Sequence, residues 1–414
     1  MEKVRKIFSL LVVLSIFSCA KNQQNGSQID ASYDGAIVIE TDLSDMELAS
    51  YGNEVIYRFE SIPKLVAIKP KDSRVLKNNE IYSNTNEILN KNSKKVYQNN
   101  NNIKRELNLG NCHFSYCESG FQSVMENINK NKLNLENVKV AIIDSGVKIR
   151  DEIKNQIEQE INITDDLNTE NWSDHGTNIA SIFTGFSKSN EVENSYAKNA
   201  KIYSIKVNVD SDNINNMQKK FGSMQLAVAL DKAVILGAKI VNISLQYNNE
   251  PDKNVSSIEK LLISKAAEKG VLFVLAAGNE NKNLDSEPSY PSGYSLNNII
   301  TVGSHYYDYN ELKLMKSYFS NYGHSVDISA QGNDIEVINK SGHQVKQSGT
   351  SFSTPIVSSA LSIYFGLYPN ADLNTTLEHL YSSAIGDKNT TTKYGRLNLN
   401  TMIQLGKNKY LQSF

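Results

Sequence analysis

Three short segments of this 414-residue chain hold the side chains that nucleophilic chemistry needs. In Val140-Ala141-Ile142-Ile143-Asp144-Ser145-Gly146 an apolar run closes on a carboxylate, which puts Asp144 at the C-terminal end of a buried strand. That is the edge of an open α/β sheet where catalytic groups gather. Asp174-His175-Gly176-Thr177 enters a helical pattern over 178–184, and of the six histidines His175 alone is followed by Gly-Thr. The small residue after it is expected to let the imidazole stand clear of its own backbone and act as a base. Ser348-Gly349-Thr350-Ser351-Phe352-Ser353-Thr354-Pro355 leads into a small, apolar run to Leu361 and puts Ser351 at a helix start. Unpaired N–H groups and the positive end of the helix dipole favour a developing oxyanion there. Each segment alone also has a plainer reading: Asp144 as a cap or turn residue, His175 as a structural or merely exposed histidine, Ser351 as a helix cap. Together they supply a nucleophile, a base and a carboxylate to orient the base.

The order Asp, His, Ser along the chain is that of subtilisin and differs from those of chymotrypsin and the α/β-hydrolases. The three segments resemble the three active-site motifs of the subtilisin-like serine peptidases, over about 138–405. Val271 to Glu280 looks like the family strand that ends in the oxyanion-hole asparagine, here Asn279. Val241-Asn242-Ile243-Ser244-Leu245 resembles the strand bordering the substrate channel, and Tyr394-Gly395-Arg396-Leu397-Asn398 the closing region. The resemblance implies acyl transfer, with Ser351 attacking a peptide carbonyl, His175 relaying the proton and Asp144 fixing the imidazole. Asn279 and the Ser351 N–H would hold the oxyanion. Extended substrate would pair beside Ser244, Leu245 and the stretch from Ala276 to Gly278. Three positions depart from the family pattern. Gln246 stands where a glycine usually follows Ser-Leu, so a narrower or more polar channel is expected. Gln331 stands in place of a proline, and the stretch from Ser195 to Ala200 lacks the usual Val-Ala-Pro. No cofactor is implied, and nothing matches the family's structural calcium loops.

Such a site needs a scaffold, and the hydrophobic pattern predicts one. Apolar runs at Val138 to Ile143, Ile202 to Val207, Ile240 to Leu245, Val271 to Ala276 and Ile299 to Val302 read as strands; Met224 to Leu236 and Ile258 to Lys269 read as helices. Strands apolar along their whole length, separated by helices, predict an α/β fold whose parallel sheet is flanked by helices on both faces.

Ahead of it, β-like runs at Ala36 to Ile39 and Lys64 to Ile68 flank a short helical segment at Leu43 to Tyr51, a small α+β unit. Its stretch Val55 to Lys69, with Phe59 and Ile62-Pro63 before an edge strand, resembles the inhibitory propeptide of subtilisins. The expected division is a signal peptide at 1–18, a tether at 19–33, a propeptide-like inhibitor domain at 34–77, a linker at 78–105 and a catalytic domain at 106–414. The leader begins with Lys3, Arg5 and Lys6 and continues apolar from Ile7 to Phe17, shorter than the ~20 residues a spanning helix needs. Ile16-Phe17-Ser18-Cys19 resembles a bacterial lipobox, which implies a lipid on Cys19 and an exported protein anchored in the cell envelope; self-processing would separate enzyme from anchor unless the two halves stay bound.

The chain carries 43 Lys+Arg against 45 Asp+Glu, a formal charge of -2, and so has no global field for nucleic acid. The expected partners are protein or peptide substrates, the chain's own propeptide, and the membrane through the lipid. Three cysteines rule out a disulfide scaffold. Cys112 and Cys117 either pair or stay free, and His113 beside them does not complete a zinc site. Two other functions remain open from sequence: a tethered binding protein that keeps the fold without activity, and a non-proteolytic hydrolase using the same three residues.

Overall fold

The computed structural model describes residues 13–15, 36–50, 52–70, 114–149, 153–164, 174–188, 191–193, 195–207, 223–246, 253–386 and 391–410. The expected lipid-bearing Cys19, the tether, the Asn/Lys-rich linker and Cys112 lie outside the described residues.

The N-terminal unit comprises β1 (Val13–Ser15), β2 (Ile37–Glu40), α1 (Asp45–Ser50), β3 (Asn53–Arg58) and β4 (Leu65–Pro70). Its strands pair antiparallel in the order β1-β2-β4-β3. A reciprocal cap starts α1: the Glu47 N–H donates to Ser44 Oγ (3.3 Å) and the Ser44 N–H to Glu47 Oε2 (2.9 Å). Alternation along the strands splits the unit's apolar residues between two faces. Ile39, Val66 and Ile68 pack with Leu48 of α1, while Ala36, Val38, Leu65 and Ala67 join Phe59 on the other side. β3 was missed in the sequence because only Val55 and Ile56 of Asn53–Arg58 are aliphatic.

The larger part runs α2 (Phe114–Glu118), α3 (Phe121–Asn131), β5 (Val138–Asp144), β6 (Ile157–Asn162), α4 (Asp174–Thr184), β7 (Phe186–Lys188), β8 (Glu191–Glu193), β9 (Ala200–Lys206), α5 (Ser223–Ile235), β10 (Ile240–Ile243), α6 (Lys253–Glu268), β11 (Leu272–Ala276), β12 (Ile299–Asp308), β13 (Lys313–Lys316), β14 (Ile328–Gln331), β15 (Ile335–Ile338), β16 (Gln344–Gln347), α7 (Thr350–Leu367), α8 (Leu373–Ser383) and α9 (Leu399–Tyr410). The central sheet has the order β13-β12-β11-β10-β5-β9-β6 with β14 beside β12, and every pair except β12–β13 is parallel.

Both faces of this sheet are buried, which is why its strands read as unbroken apolar runs. Val140 and Ile142 of β5 and Leu272 and Val274 of β11 face a core shared with α3, α4, α7, α8 and α9. Ala141, Ile143, Phe273 and Leu275 face the other way, toward α5 and α6. The predicted strands appear with small shifts. β12 instead runs on to Asp308 and turns back into β13, and β6 went unseen because its Ile-Glu-Gln-Glu-Ile-Asn sequence belongs to a polar, half-exposed edge.

The start of the larger part is pinned to its end by a buried ionic cluster. Glu118 Oε1 accepts from Arg396, Ser119 Oγ donates to Glu118 Oε2 (2.9 Å), and His305 Nε2 lies 3.3 Å from that oxygen. Burial alone would raise the Glu118 pKa, but the charges of His305 and Arg396 outweigh it and hold the carboxyl at about 2. Arg396, expected only as part of a closing motif, thus anchors the start of the larger part. Cys117, next to Glu118, is disulfide-bonded.

Candidate active site

The register of the sheet gathers the catalytic candidates at one edge. Ile143 of β5 pairs with Ile243 of β10, and Ile243 pairs with Leu275 of β11, so Asp144, Ser244 and the stretch from Ala276 to Asn279 leave neighbouring strand ends side by side. Strands lie about 4.8 Å apart, so side chains from these ends reach one another.

Asp144 is fully buried, and its Oδ1 accepts the Ser145 N–H (2.7 Å) and the Ser145 hydroxyl (3.1 Å). His175 Nδ1 lies 2.8 Å from Asp144 Oδ1 and 3.0 Å from Oδ2. A carboxylate only accepts, so Nδ1 carries the proton and Nε2 presents a lone pair. Burial disfavours the imidazolium, but the charge of Asp144 and its hydrogen bond more than offset this, so the His175 pKa sits above the ordinary histidine value.

α4 starts at Asp174, so His175 lies inside the first helical turn, earlier than the helical pattern from residue 178 indicated. The role of Gly176 also differs from the expectation. A Cβ at Gly176 would stand 2.1 Å from Gly146 O, so glycine lets α4 begin directly against the loop after Asp144, while the Gly176 N–H donates to Ser145 Oγ (3.1 Å). The His175 ring lies 5.8 Å from that of Phe352, the residue after Ser351, which ties the base to the start of α7.

Ser351 is the second residue of α7, with its Oγ donating to Ser244 O (3.3 Å) and its own carbonyl accepting from Ser244 Oγ (3.0 Å). Its N–H finds no acceptor among the described residues, as expected in the first turn of a helix. Asn279 Oδ1 caps the same helix, accepting the Thr350 N–H (2.9 Å) and the Thr350 hydroxyl (3.1 Å). Thr350 Oγ1 in turn accepts the Gly278 N–H (3.1 Å). Because Thr350 binds the amide oxygen, the Asn279 NH₂ is turned away from it, with no partner among the described residues. Two free donors therefore stand beside Ser351, the chemistry an oxyanion requires. Ser244 and Leu245 are buried and Gly278 has φ of 103°; all three lie where the strand ends flank Ser351. Sequence reasoning missed Ser145 and Thr350, although each directly adjoins a singled-out residue. Among the described residues no group of three or more His, Cys, Asp or Glu is placed to hold a metal.

A parallel sheet carrying this edge defines the subtilisin-like fold, and a model of the subtilase family matches residues 136–402. The match covers more than half of the chain, which therefore belongs to the subtilase family. A cell wall-associated protease of Bacillus subtilis is 30% identical over 252 residues, 58% of this chain and 25% of that protein. The subtilisin-like serine protease Rho m 2.0101 of Rhodotorula mucilaginosa is 29% identical over 240 residues, 56% of this chain and 63% of that protein. The chain thus spans less than two thirds of the length of either relative. Among solved structures, the protease domain of PatA aligns with a TM-score of 0.53 and 25% identity, covering 67% of this chain and 98% of that one. A structure of the subtilase cytotoxin SubAB aligns at 0.59 with 20% identity, over 72% and 98% respectively.

Proposed function

We propose that the protein is a serine endopeptidase that cleaves peptide bonds through an acyl-enzyme, with Ser351 as nucleophile, His175 as general base then acid, and Asp144 as its orienting partner. The observation that carries this reading is the His175 Nδ1 contact with the buried Asp144 carboxylate at 2.8 Å, which fixes the tautomer in which Nε2 carries no proton and can accept one. Asn279 and the Ser351 N–H serve the oxyanion. An active-site serine reagent and a denatured protein substrate test the reading together. Labelling with cleavage is expected; labelling alone would indicate a different hydrolase, and neither would indicate a binding protein. Asn279→Ala should lower kcat by about 10² to 10³-fold, the loss seen when an oxyanion-hole asparagine is removed from subtilisin. A rise in KM alone would make Asn279 a binding residue.

The reading extends to a precursor held at a bacterial envelope by a lipid on Cys19, with residues 34–77 acting as a built-in inhibitor. The way the N-terminal unit sits on the larger part supports the inhibitor role. Asp231 of α5 is fully buried, and its carboxylate accepts the Tyr57 hydroxyl (2.7 Å), the Glu60 N–H (3.1 Å), the Ser61 N–H (2.8 Å) and the Ser61 hydroxyl. Lys232 pairs with Glu60 at 3.1 Å, and Phe59, Leu65 and Ala67 share one apolar cluster with α5 and α6. Four donors converging on one carboxylate make Asp231 the polar anchor of this contact, since hydrogen bonds to a charged group are stronger than neutral ones. Asp231→Ala should weaken inhibition by the N-terminal unit added in trans by about 10²-fold or more, read as Ki. An unchanged Ki would remove Asp231 from this role.

A further inference from the structure

Gln246 follows Ser244 and Leu245 at the end of β10, and its side chain crosses to the end of β11. Gln246 Nε2 donates to Glu280 Oε1 (2.8 Å), while Glu280 Oε2 accepts from Asn321 Nδ2 (2.8 Å), which also donates to Ala277 O (2.8 Å). The amide lies against Gly278 beside Asn321: a Cβ there would stand 2.3 Å from Gln246 Oε1, 2.4 Å from Asn321 Nδ2 and 2.5 Å from Gln246 Nε2. The orientation of the amide follows from Glu280, because a carboxylate accepts and only the nitrogen can donate to it. Gln246 Oε1 is buried and has no donor among the described residues, so the Glu280 bond, rather than any contact of the oxygen, keeps the amide in place.

This bridge spans the space that an acyl-side residue must use. With its carbonyl carbon at Ser351 Oγ and its oxygen toward Asn279 Nδ2, that residue is bordered by Ser244 on one side and by the stretch from Ala277 to Asn279 on the other. Its side chain then has the gap between the two strand ends to enter, and the Gln246 amide lies across that gap.

We infer that Gln246, held by Glu280, closes this gap and makes the enzyme select glycine or alanine immediately before the scissile bond. This selectivity rests on the peptidase reading above. A larger side chain must displace the amide and break its part-buried bond to Glu280, a penalty that a smaller side chain does not meet.

The test compares kcat/KM for a peptide pair differing only in Ala or Phe before the cut, using the processed protein. Wild type should favour Ala. Gln246→Gly should raise the Phe/Ala ratio by about tenfold to a hundredfold, the range one pocket-filling group commands. Gln246→Asn, equally polar but one methylene too short to reach Glu280, should shift the ratio the same way, and Glu280→Ala should shift it less. A folding defect scales both rates alike, so the ratio still reports the selectivity of the folded fraction. The same comparison is read without chemistry from the affinities of Ser351→Ala proteins, cut in the linker by an added protease and freed of the N-terminal unit, with and without Gln246→Gly, for product peptides ending in Ala or Phe. If wild type shows no turnover but this affinity ratio moves with Gln246, the peptidase reading fails and the gap assignment stands. A wild-type preference for Phe, Leu, Lys or Arg, or ratios in both assays indifferent to Gln246, overturns the inference.

Discussion

Ser351→Ala is expected to fold normally and to lose essentially all turnover, with His175→Ala equally inactive and the double variant no worse. Nucleophile and base act as one unit, so their losses do not add, and in subtilisin the corresponding single losses are about 10⁶-fold in kcat. Among the described residues Ser351 Oγ makes one long hydrogen bond, to Ser244 O at 3.3 Å, so little stability is at stake in removing it. The same variant reports on processing. If the enzyme cuts its own linker, Ser351→Ala accumulates as a longer chain on a gel while wild type shortens. Lipidated Cys19 lies on the propeptide side of any such cut, so wild-type enzyme would also leave the membrane fraction unless the two parts stay bound through Asp231. Equal lengths and equal membrane retention in the two proteins would end the self-processing idea and leave the peptidase assignment intact.

Asp144→Asn should cost about 10⁴-fold in kcat, the size of effect that follows when the base is held in the wrong tautomer. The pH profile should change with it. His175 must be neutral to accept the Ser351 proton, so wild-type kcat/KM falls as the pH drops through a His175 pKa that Asp144 has raised above the ordinary ~6.5. Without the carboxylate charge, burial remains as the main influence and depresses the pKa, so the acid limb should move to lower pH. Stability runs in the opposite sense. A folded-state pKa raised above the unfolded value contributes stability fully present below about pH 6.5, and lost as the pH rises through the folded value. Protonated His175 therefore favours the fold under conditions where it cannot work as a base, and Asp144→Asn should abolish that contribution. An acid limb at the same pH in both proteins would show that Asp144 does not set the His175 pKa.

Much of this was legible in the chain because it is local. A strand buried on both faces must be apolar throughout, which exposed β5, β10 and β11 and, at their ends, Asp144, Ser244 and Asn279. A serine among small residues at a helix start marked Ser351, and the Asp, His, Ser order together with the surrounding motifs marked the family. Edge elements were harder to see, since a half-exposed strand such as β6 carries four polar residues and only two apolar ones. What no local pattern holds is any contact between residues distant in sequence. The fit of Gly176 against Gly146, the Thr350 bonds that turn the Asn279 amide, the pairing of Glu118 with Arg396, the four donors on Asp231 and the reach of Gln246 to Glu280 all join segments that meet only when the sheet sets its register. The sequence by itself determined the class of chemistry, because that depends on residue types and their order. Only the tertiary structure decided how the site is oriented and bordered, because hydrogen-bond direction and close approach depend on where distant backbones come to rest.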